Sequence, residues 1–360
     1  MIYRCLGLMS GTSLDGVDGA ICITDGNKII GFENSYFRPY TKIEQSILRS
    51  KFGSWPENGG FEDALDIIHD AHLDVIKALP DAELIGFHGQ TLNHDPKNLR
   101  TFQLGNGATL AKLSNKRVIW DFRTADVAAG GEGAPLAPFF HFACAKTLNI
   151  SEKLVFVNLG GVGNISLINT NIASPDMNNA VIAFDTGPAN APLNDFILNR
   201  TGQLYDLNGS LALSGNIDQN ILSSFMKSDF FNKKPPKSLD RNSFSVIQDL
   251  VSTLSDADGA ATLTAICVES VYAAQLHLKY KPYRWLICGG GRHNIAIMKG
   301  LRQRLEQPVD PVESIGLNGD MLEAQAFGYL AARVVNNLSL SSPTTTGCVR
   351  PIKGGIISDP

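Results

Sequence analysis

The sequence lacks the features that would serve a nucleic acid, a membrane or an oxidising compartment. Its 360 residues carry 31 Lys and Arg against 35 Asp and Glu, for a formal net charge of -4, and no basic run interrupts it. Phosphate backbones are held by clustered cations, so a large nucleic-acid footprint is not expected. Any phosphate handled here must be held by local devices such as backbone amides, helix ends and a metal ion. The six cysteines, Cys5, Cys22, Cys144, Cys267, Cys288 and Cys348, form no CxxC pair. Neither zinc-site spacing nor a disulfide framework is present, and most of these thiols lie in apolar stretches, where Cys packs as a small core residue. No apolar stretch reaches the ~18 residues of a membrane span. No leader pattern precedes the first strand, and no low-complexity or coiled-coil tract appears. The expectation is a cytoplasmic protein without nucleic-acid or membrane partners.

What is present is 44% hydrophobic residues over a length that fills two domains. Apolar runs predict strands at 3–8, 17–24 and 28–37, with a Gly-bearing turn at 10–16 and an Asp25-Gly26 hairpin signal. Helical spacing follows at 43–52 and 61–79, then short strands at 84–87 and 117–120. The pattern restarts with strands at 153–158, 165–169 and 181–184 and a Gly-rich turn at 159–164. Helices at 191–200 and 257–279, a strand at 284–288, and helices at 294–305 and 320–335 complete it. The repeat lies in organisation, not residue identity. It predicts two α/β lobes facing a cleft, an N-terminal lobe of 1–134 plus 338–360 and a C-terminal lobe of 135–337. The stretch 230–242 reads as a loop, and the Pro- and Thr-rich tail 339–360 is expected to pack back on the first lobe.

Four segments carry residue types suited to phosphate and sugar chemistry. The first is the turn holding Gly11, Thr12, Ser13, Leu14, Asp15, Gly16, Val17 and Asp18. Its glycines admit a ligand close to the backbone, and its amides and hydroxyls can donate to phosphate oxygens. Asp15 or Asp18 can hold a hydrated magnesium ion. An ordinary polar hairpin has the same composition. The second turn, with Gly160, Gly161, Gly163 and Asn164, occupies the corresponding place in the second half. The third segment puts Asp185 at the end of an apolar strand, followed by Thr186, Gly187 and a helix N-terminus that favours anions. Asp185 stands where a general base belongs, or it caps the turn. The fourth, Gly289, Gly290, Gly291 and on to Asn294, lies between a strand end and a helix and leaves room for a flat ring. Arg123 and Asp126 either line the cleft or pair with each other. Glu323 falls in the first turn of the last helix, where the helix dipole favours an acid. His88 and His94 flank a strand end. His69 and His72, three apart on a helix with no third ligand nearby, read as surface residues.

Together these segments resemble the anhydro-N-acetylmuramic acid kinase family. The likeness runs from 11–18 through Gly86-Phe87-His88-Gly89-Gln90-Thr91, Gln103-Leu104-Gly105 and 121–135. It continues through 158–166, 185–190, Pro235-Pro236-Lys237-Ser238, 288–294 and Glu323-Ala324, stations that cover nearly the whole chain. Two departures are Ala189, where many members carry a second Gly, and the stretch 258–264. The resemblance implies an α/β, two-lobed actin/hexokinase fold of duplicated ribonuclease H-like type. It implies ATP and magnesium, a typically dimeric protein, and a reaction that opens and phosphorylates 1,6-anhydro-N-acetylmuramic acid. By position, Asp185 matches the catalytic base and 11–18 the ATP loop. Gly160, Gly161, Gly163, Asn164, Gly187, Gly289, Gly290 and Asn294 are further ATP-binding candidates, and His88, Arg123, Asp126 and Glu323 are sugar-binding candidates. A sugar kinase acting on a free hydroxyl, and a nucleotide-dependent binding protein of the same superfold, are the alternative readings.

Overall fold

The computed structural model of the chain describes residues 1–239, 244 and 246–360. They form two compact units. One comprises Met1–Ile150, Thr170–Val181 and Met321–Pro360, and the other Ser151–Asn169 and Ile182–Asp320.

In the first unit, β1 (Tyr3–Ser10), β2 (Gly16–Thr24) and β3 (Ile29–Pro39) form an antiparallel meander. On the other side of β1 lie β4 (Leu84–Asp95) and then β6 (Arg117–Trp120), both parallel to their neighbours. β5 (Arg100–Leu104) folds back on the far end of β4. The last strand, β12 (Ile356–Ser358), closes the edge beside β6, so the tail does pack back on the first unit. The sheet order is β12-β6-β4-β1-β2-β3. Cys5, Leu6 and Leu8 are all buried, because both faces of β1 are covered.

The second unit repeats this order. β7 (Leu154–Leu159), β8 (Val162–Ile168), β9 (Val181–Pro188), β10 (Arg284–Cys288) and β11 (Val309–Pro311) run β11-β10-β7-β8-β9. Each unit thus has a strand hairpin at its centre, with a parallel strand entering on the far side. This is the duplicated ribonuclease H-like order expected of an actin/hexokinase-type chain. Of the loop expected over 230–242, residues 240–242 lie outside the described residues.

Three expectations are corrected. The division at 134/135 and 337/338 does not follow the packing. The helix Pro138–Thr147 belongs with the first sheet: Phe140 lies edge-on to Phe32 at 6.1 Å and against Tyr329 at 5.9 Å, and Thr147 Oγ1 donates to Ile29 O. The helix Leu322–Val335 also belongs there. Second, β4 does not stop at residue 87. It passes through a bulge at which His88 and Gly89 together oppose Met9, and Gly89 takes a φ of +74°. A bulge of this kind redirects a side chain without ending the strand. Third, His69 and His72 are buried, not on the surface. On the helix Glu62–Ala78, His72 falls one turn after Ile68 and one before Ile76, within the apolar stripe. Its Nδ1 bonds Ile68 O at 2.6 Å and its ring meets Phe87 edge-on at 4.8 Å. Burial lowers its pKa to about 4, so the ring is neutral at ordinary pH. His69 Nε2 accepts from the Asn106 amide.

The helix Leu322–Val335 touches the sheet backbone to backbone. A Cβ on Gly7 would stand 1.7 Å from Ala324 O, one on Gly86 2.2 Å from Phe327 O, and one on Gly328 2.9 Å from Cys5 O. Among the described residues, no helix is long and apolar enough to cross a membrane, and all six cysteines are free and buried.

Gly86→Ala is therefore expected to destabilise the protein by about 1–3 kcal/mol or more. Gly31→Ala, where nothing lies within 4 Å of the new methyl, is the matched control. Urea unfolding of both variants measures the difference, and equal midpoints would mean that the helix can back away at no cost.

Candidate active site

The turn between β1 and β2 is clamped from below. Ser10 is buried; its Oγ donates to Gln90 Oε1 at 2.6 Å and lies 2.9 Å from Tyr40 Oη. The Tyr40 amide donates to Asp15 O, and Gln45 Nε2 donates to Leu14 O. Leu14 is fully buried at a φ of +61°, a left-handed conformation costing a leucine ~1–2 kcal/mol. The side chains of Leu14 and Val17 fill the core, and Gly16 is closed over by Arg38 O and the Phe37 ring. The outward-facing set is narrower than 11–18: Gly11, the exposed Thr12, Ser13 and Asp15, and the half-buried Asp18.

A second group in the first unit centres on Arg123, at the start of the short helix Thr124–Ala128. Arg123 Nε donates to His88 Nε2 at 2.9 Å, and its NH1 donates to Gly133 O at 2.7 Å. An arginine only donates, so His88 Nε2 is the acceptor. The His88 proton then sits on Nδ1 and is donated to Gly89 O at 2.8 Å. Burial, followed by the nearby Arg123 charge, holds the His88 pKa well below the usual imidazole value. Its ring packs at 4.5 Å on Phe327 of the last helix. Burial lowers the Arg123 pKa, opposed by the charges of Glu323 and Asp126. Glu323 is exposed in the first turn of the helix Leu322–Val335.

Asp126 is different from its sequence reading. It is 2% exposed. Oδ1 accepts from the Gly133 amide, and Oδ2 accepts from the hydroxyls of Ser341 and Thr346. Its carboxylate therefore ties the 130–134 loop to the C-terminal segment. Arg123 bonds His88 and Gly133, and its pairing with Asp126 is electrostatic.

In the second unit, three glycine segments interlock around Asn158, Leu159 and Asn190. Asn190 Nδ2 donates to Leu159 O. A Cβ on Gly289 would stand 2.3 Å from Asn158 Oδ1, and one on Gly291 2.5 Å from the Leu159 side chain. The N-terminus of the helix Asn190–Thr201 does not offer its first amides to an anion, contrary to the sequence expectation. Ala189 N and Ala191 N donate to Gly161 O, and Asn190 N donates to Gly160 O. The Gly160-Gly161 turn caps that helix, and the turn's own amides remain as the donors suited to phosphate. Packing also divides the glycines. Gly163 and Gly187 are closed against Thr186 and Ser270, whereas Gly160 and Gly290 have nothing nearer than 3.6 Å. Open space marks Gly160 and Gly290 as positions a ligand can approach. Asn164 is half-buried on β8. Asn294 caps the helix Ile295–Arg304 by accepting from Ile297 N.

Asp185 is half-buried near the end of β9. Its amide donates to Lys237 O at 3.0 Å, and its Oδ2 accepts from Leu239 N at 2.8 Å. Sequence reasoning passed over Lys237, whose only signal was a place in the Pro235-Pro236-Lys237-Ser238 station. It also passed over Arg292, which is buried and bridges Glu313, Asp320 and Gly289 O. Tyr40, Gln90 and Asn190 act through hydrogen bonds that no linear spacing reveals. Among the described residues, no group of three or more His, Cys, Asp or Glu is placed to hold a metal.

A family model described as anhydro-N-acetylmuramic acid kinase matches residues 3–359. Curated relatives bearing that name include one from Roseobacter denitrificans, 50% identical over 355 residues, covering 99% of this chain and 94% of that one. Another, from Ruegeria sp., is 48% identical over 357 residues and covers 99% and 95%. A third, from Acidiphilium cryptum, is 44% identical over 363 residues and covers 99% and 98%.

The geometry around Arg123 makes a spectroscopic prediction. In protein carrying ¹⁵N-labelled histidine, the signals lost in His88→Gln are expected to be those of a neutral ring protonated on Nδ1, even at about pH 5, well below the usual imidazole pKa. An imidazolium signature at that pH would mean that Arg123 is not bonded to this ring.

Proposed function

Because the chain belongs to the anhydro-N-acetylmuramic acid kinase family, we propose that it uses ATP and water to convert 1,6-anhydro-N-acetylmuramic acid to N-acetylmuramic acid 6-phosphate and ADP, a step of cell-wall recycling. In the anhydro sugar, O6 is bonded to C1 and carries no proton to remove. Asp185 takes a proton from water, and the oxygen of that water forms a bond to C1. The C1–O6 bond breaks, and O6 takes the γ-phosphoryl group as the bond to ADP breaks. The scheme resembles an inverting glycosidase in which the phosphoryl donor replaces the general acid.

The observation that carries this reading is the state of Asp185. It is half-buried at the end of an apolar strand, with one carboxylate oxygen fixed by Leu239 N. Fixing one oxygen orients the carboxylate, and a positioned general base contributes ~10²–10⁴ in rate. The remainder comes from phosphate positioning and electrostatics. Gly11, Thr12, Ser13 and the Gly160-Gly161 turn supply amides and hydroxyls for the ATP phosphates, and Gly290 leaves room for the nucleotide. Arg123 and Glu323 meet the sugar. His88 and Asp126 act behind them, His88 by holding Arg123 and Asp126 by holding the 130–134 loop. Asp15 or Asp18 would carry magnesium through water. A carboxylate or two on one hairpin suits an ion that keeps most of its waters and otherwise rides on phosphate, and it would neutralise phosphate charge there. The protein acts in the cytoplasm, consistent with six buried free thiols, and works as a homodimer.

Asp185→Asn is expected to fold, to bind ATP and sugar, and to lose ADP release by ~10²-fold or more. With the native enzyme in H₂¹⁸O, the label is expected at C1 of the product. Near-normal turnover of the variant would remove Asp185 from the role. Turnover of N-acetylmuramic acid, N-acetylglucosamine or glucose in place of the anhydro sugar would transfer the residue to deprotonating a sugar hydroxyl.

A further inference from the structure

We propose that Lys237 is a positioning residue for Asp185, its buried ammonium anchoring the strap 237–239 whose main chain grips that aspartate at both ends. The inference rests on Asp185 being the base. The grip consists of two bonds already described: the Asp185 amide donates to Lys237 O, and Leu239 N donates to Asp185 Oδ2. The Lys237 side chain ties the strap to the neighbouring helix. The residue is 3% exposed. Its Nζ donates to Phe230 O at 3.0 Å and Phe231 O at 3.4 Å, carbonyls at the end of the short helix Asp229–Asn232. It lies 4.4 Å from the centre of the Phe230 ring and 5.7 Å from that of Phe184, the residue before Asp185. His277 Nε2, at 2.7 Å from Phe231 O, completes the wall.

A cation in so dry a place is costly unless its charge is used. An apolar side chain of similar length would fill the same space but would leave the Phe230 carbonyl with the Lys233 amide and the Phe231 carbonyl with His277, and neither with a bond to the strap. The ammonium adds a charge-assisted bond to each carbonyl and attraction to the aromatic faces. The strap is thereby tied to the helix on one side and to Asp185 on the other, so the carboxylate direction depends on a charge that never touches the substrate.

Titration gives this arrangement a signature. Burial lowers the Lys237 pKa to about 8, with Lys233 pushing the same way and Asp185 opposing. Among the described residues, the ionisable groups around the ammonium are Asp185 on β9, Lys233 after the short helix, and His277. Lys237 is charged below about pH 8 and neutral above it, so the tether weakens as pH rises.

The test is steady-state kinetics on the full chain with ATP and 1,6-anhydro-N-acetylmuramic acid, from about pH 6 to pH 9, for the native protein, Lys237→Met, Lys237→Arg and Asp185→Asn. Lys237→Met is expected to lower kcat roughly ten- to hundredfold, the scale of a small misplacement of a catalytic group. KM for ATP is expected to stay within about twofold, because uniform binding is untouched. The native enzyme is expected to lose kcat above about pH 8, and Lys237→Met to lack that alkaline limb. Lys237→Arg is expected to recover part of kcat and to move the limb upward. Native-like kcat in Lys237→Met would overturn the inference, as would a raised KM for ATP with kcat unchanged. If thermal melting shows that Lys237→Met does not fold, Lys237→Arg decides: a limb left where the native enzyme has it overturns the proposal. Asp185→Asn separates the two readings. An active Asp185→Asn defeats the base assignment itself, whereas an inactive one beside a native-like Lys237→Met defeats only the role given to Lys237.

Discussion

The direct contact of the last long helix with the first sheet is the constraint on which the first unit depends. With no Cβ at Gly7, Gly86 or Gly328, the two backbones meet without side chains between them. That closeness brings Phe327 to 4.5 Å from the His88 ring and 5.3 Å from Phe122. It also sets the acidic first turn of the helix within electrostatic reach of Arg123. The bulge in β4 supplies the other half of the geometry by turning His88 out of the strand's alternation. Interiors are packed at the density of organic crystals, so a helix held off by one methyl would shift each of these groups together.

The second unit solves a similar problem with hydrogen bonds. The Gly160-Gly161 carbonyls take the first amides of the helix after β9, Asn190 reaches back to Leu159 O, Gly289 closes over Asn158 and Leu159, and Gly291 over Leu159 and Asn190. Three segments far apart in sequence become one rigid platform. Asp185 stands at its margin, held from a different side by the strap 237–239. The division of labour is physical: packed glycines such as Gly163 and Gly187 set the platform's shape, while open ones such as Gly160 leave its surface approachable.

Much of this was legible in the chain. The twice-told order of strand, turn, strand, turn, strand predicted two sheets of one design, because hydrophobic period and Gly-rich punctuation are local signals. The places of the glycine turns, and of Asp185 near a strand end, follow from the same local signals. What was not legible depends on partners distant in sequence. His72 looks like a surface residue until the packing of its helix on Phe87 is known. Asp126 reads as a cleft carboxylate until Ser341 and Thr346, more than 200 residues later, occupy it. The helix after Asp185 reads as an anion site until its amides are seen to be taken. Residues 138–147 and 322–335 carry no mark of which sheet they serve, since an apolar helix face fits either.

The edge strand at 356–358 has a consequence for how such a chain comes into being. The first unit draws its central strand from residues 3–10 but its covering helix and its last strand from beyond residue 320. Most of the second unit comes from one stretch between them, 182–320. A ribosome delivers the chain from its N-terminus at ~5–20 residues per second, and domains close as units once their parts exist. Contacts spanning more than 300 residues are also the slowest kind to form. The half of the protein made first is therefore the half finished last: its sheet, already covered by the helix Glu62–Ala78, waits for residues 322–358, all made after the inserted stretch.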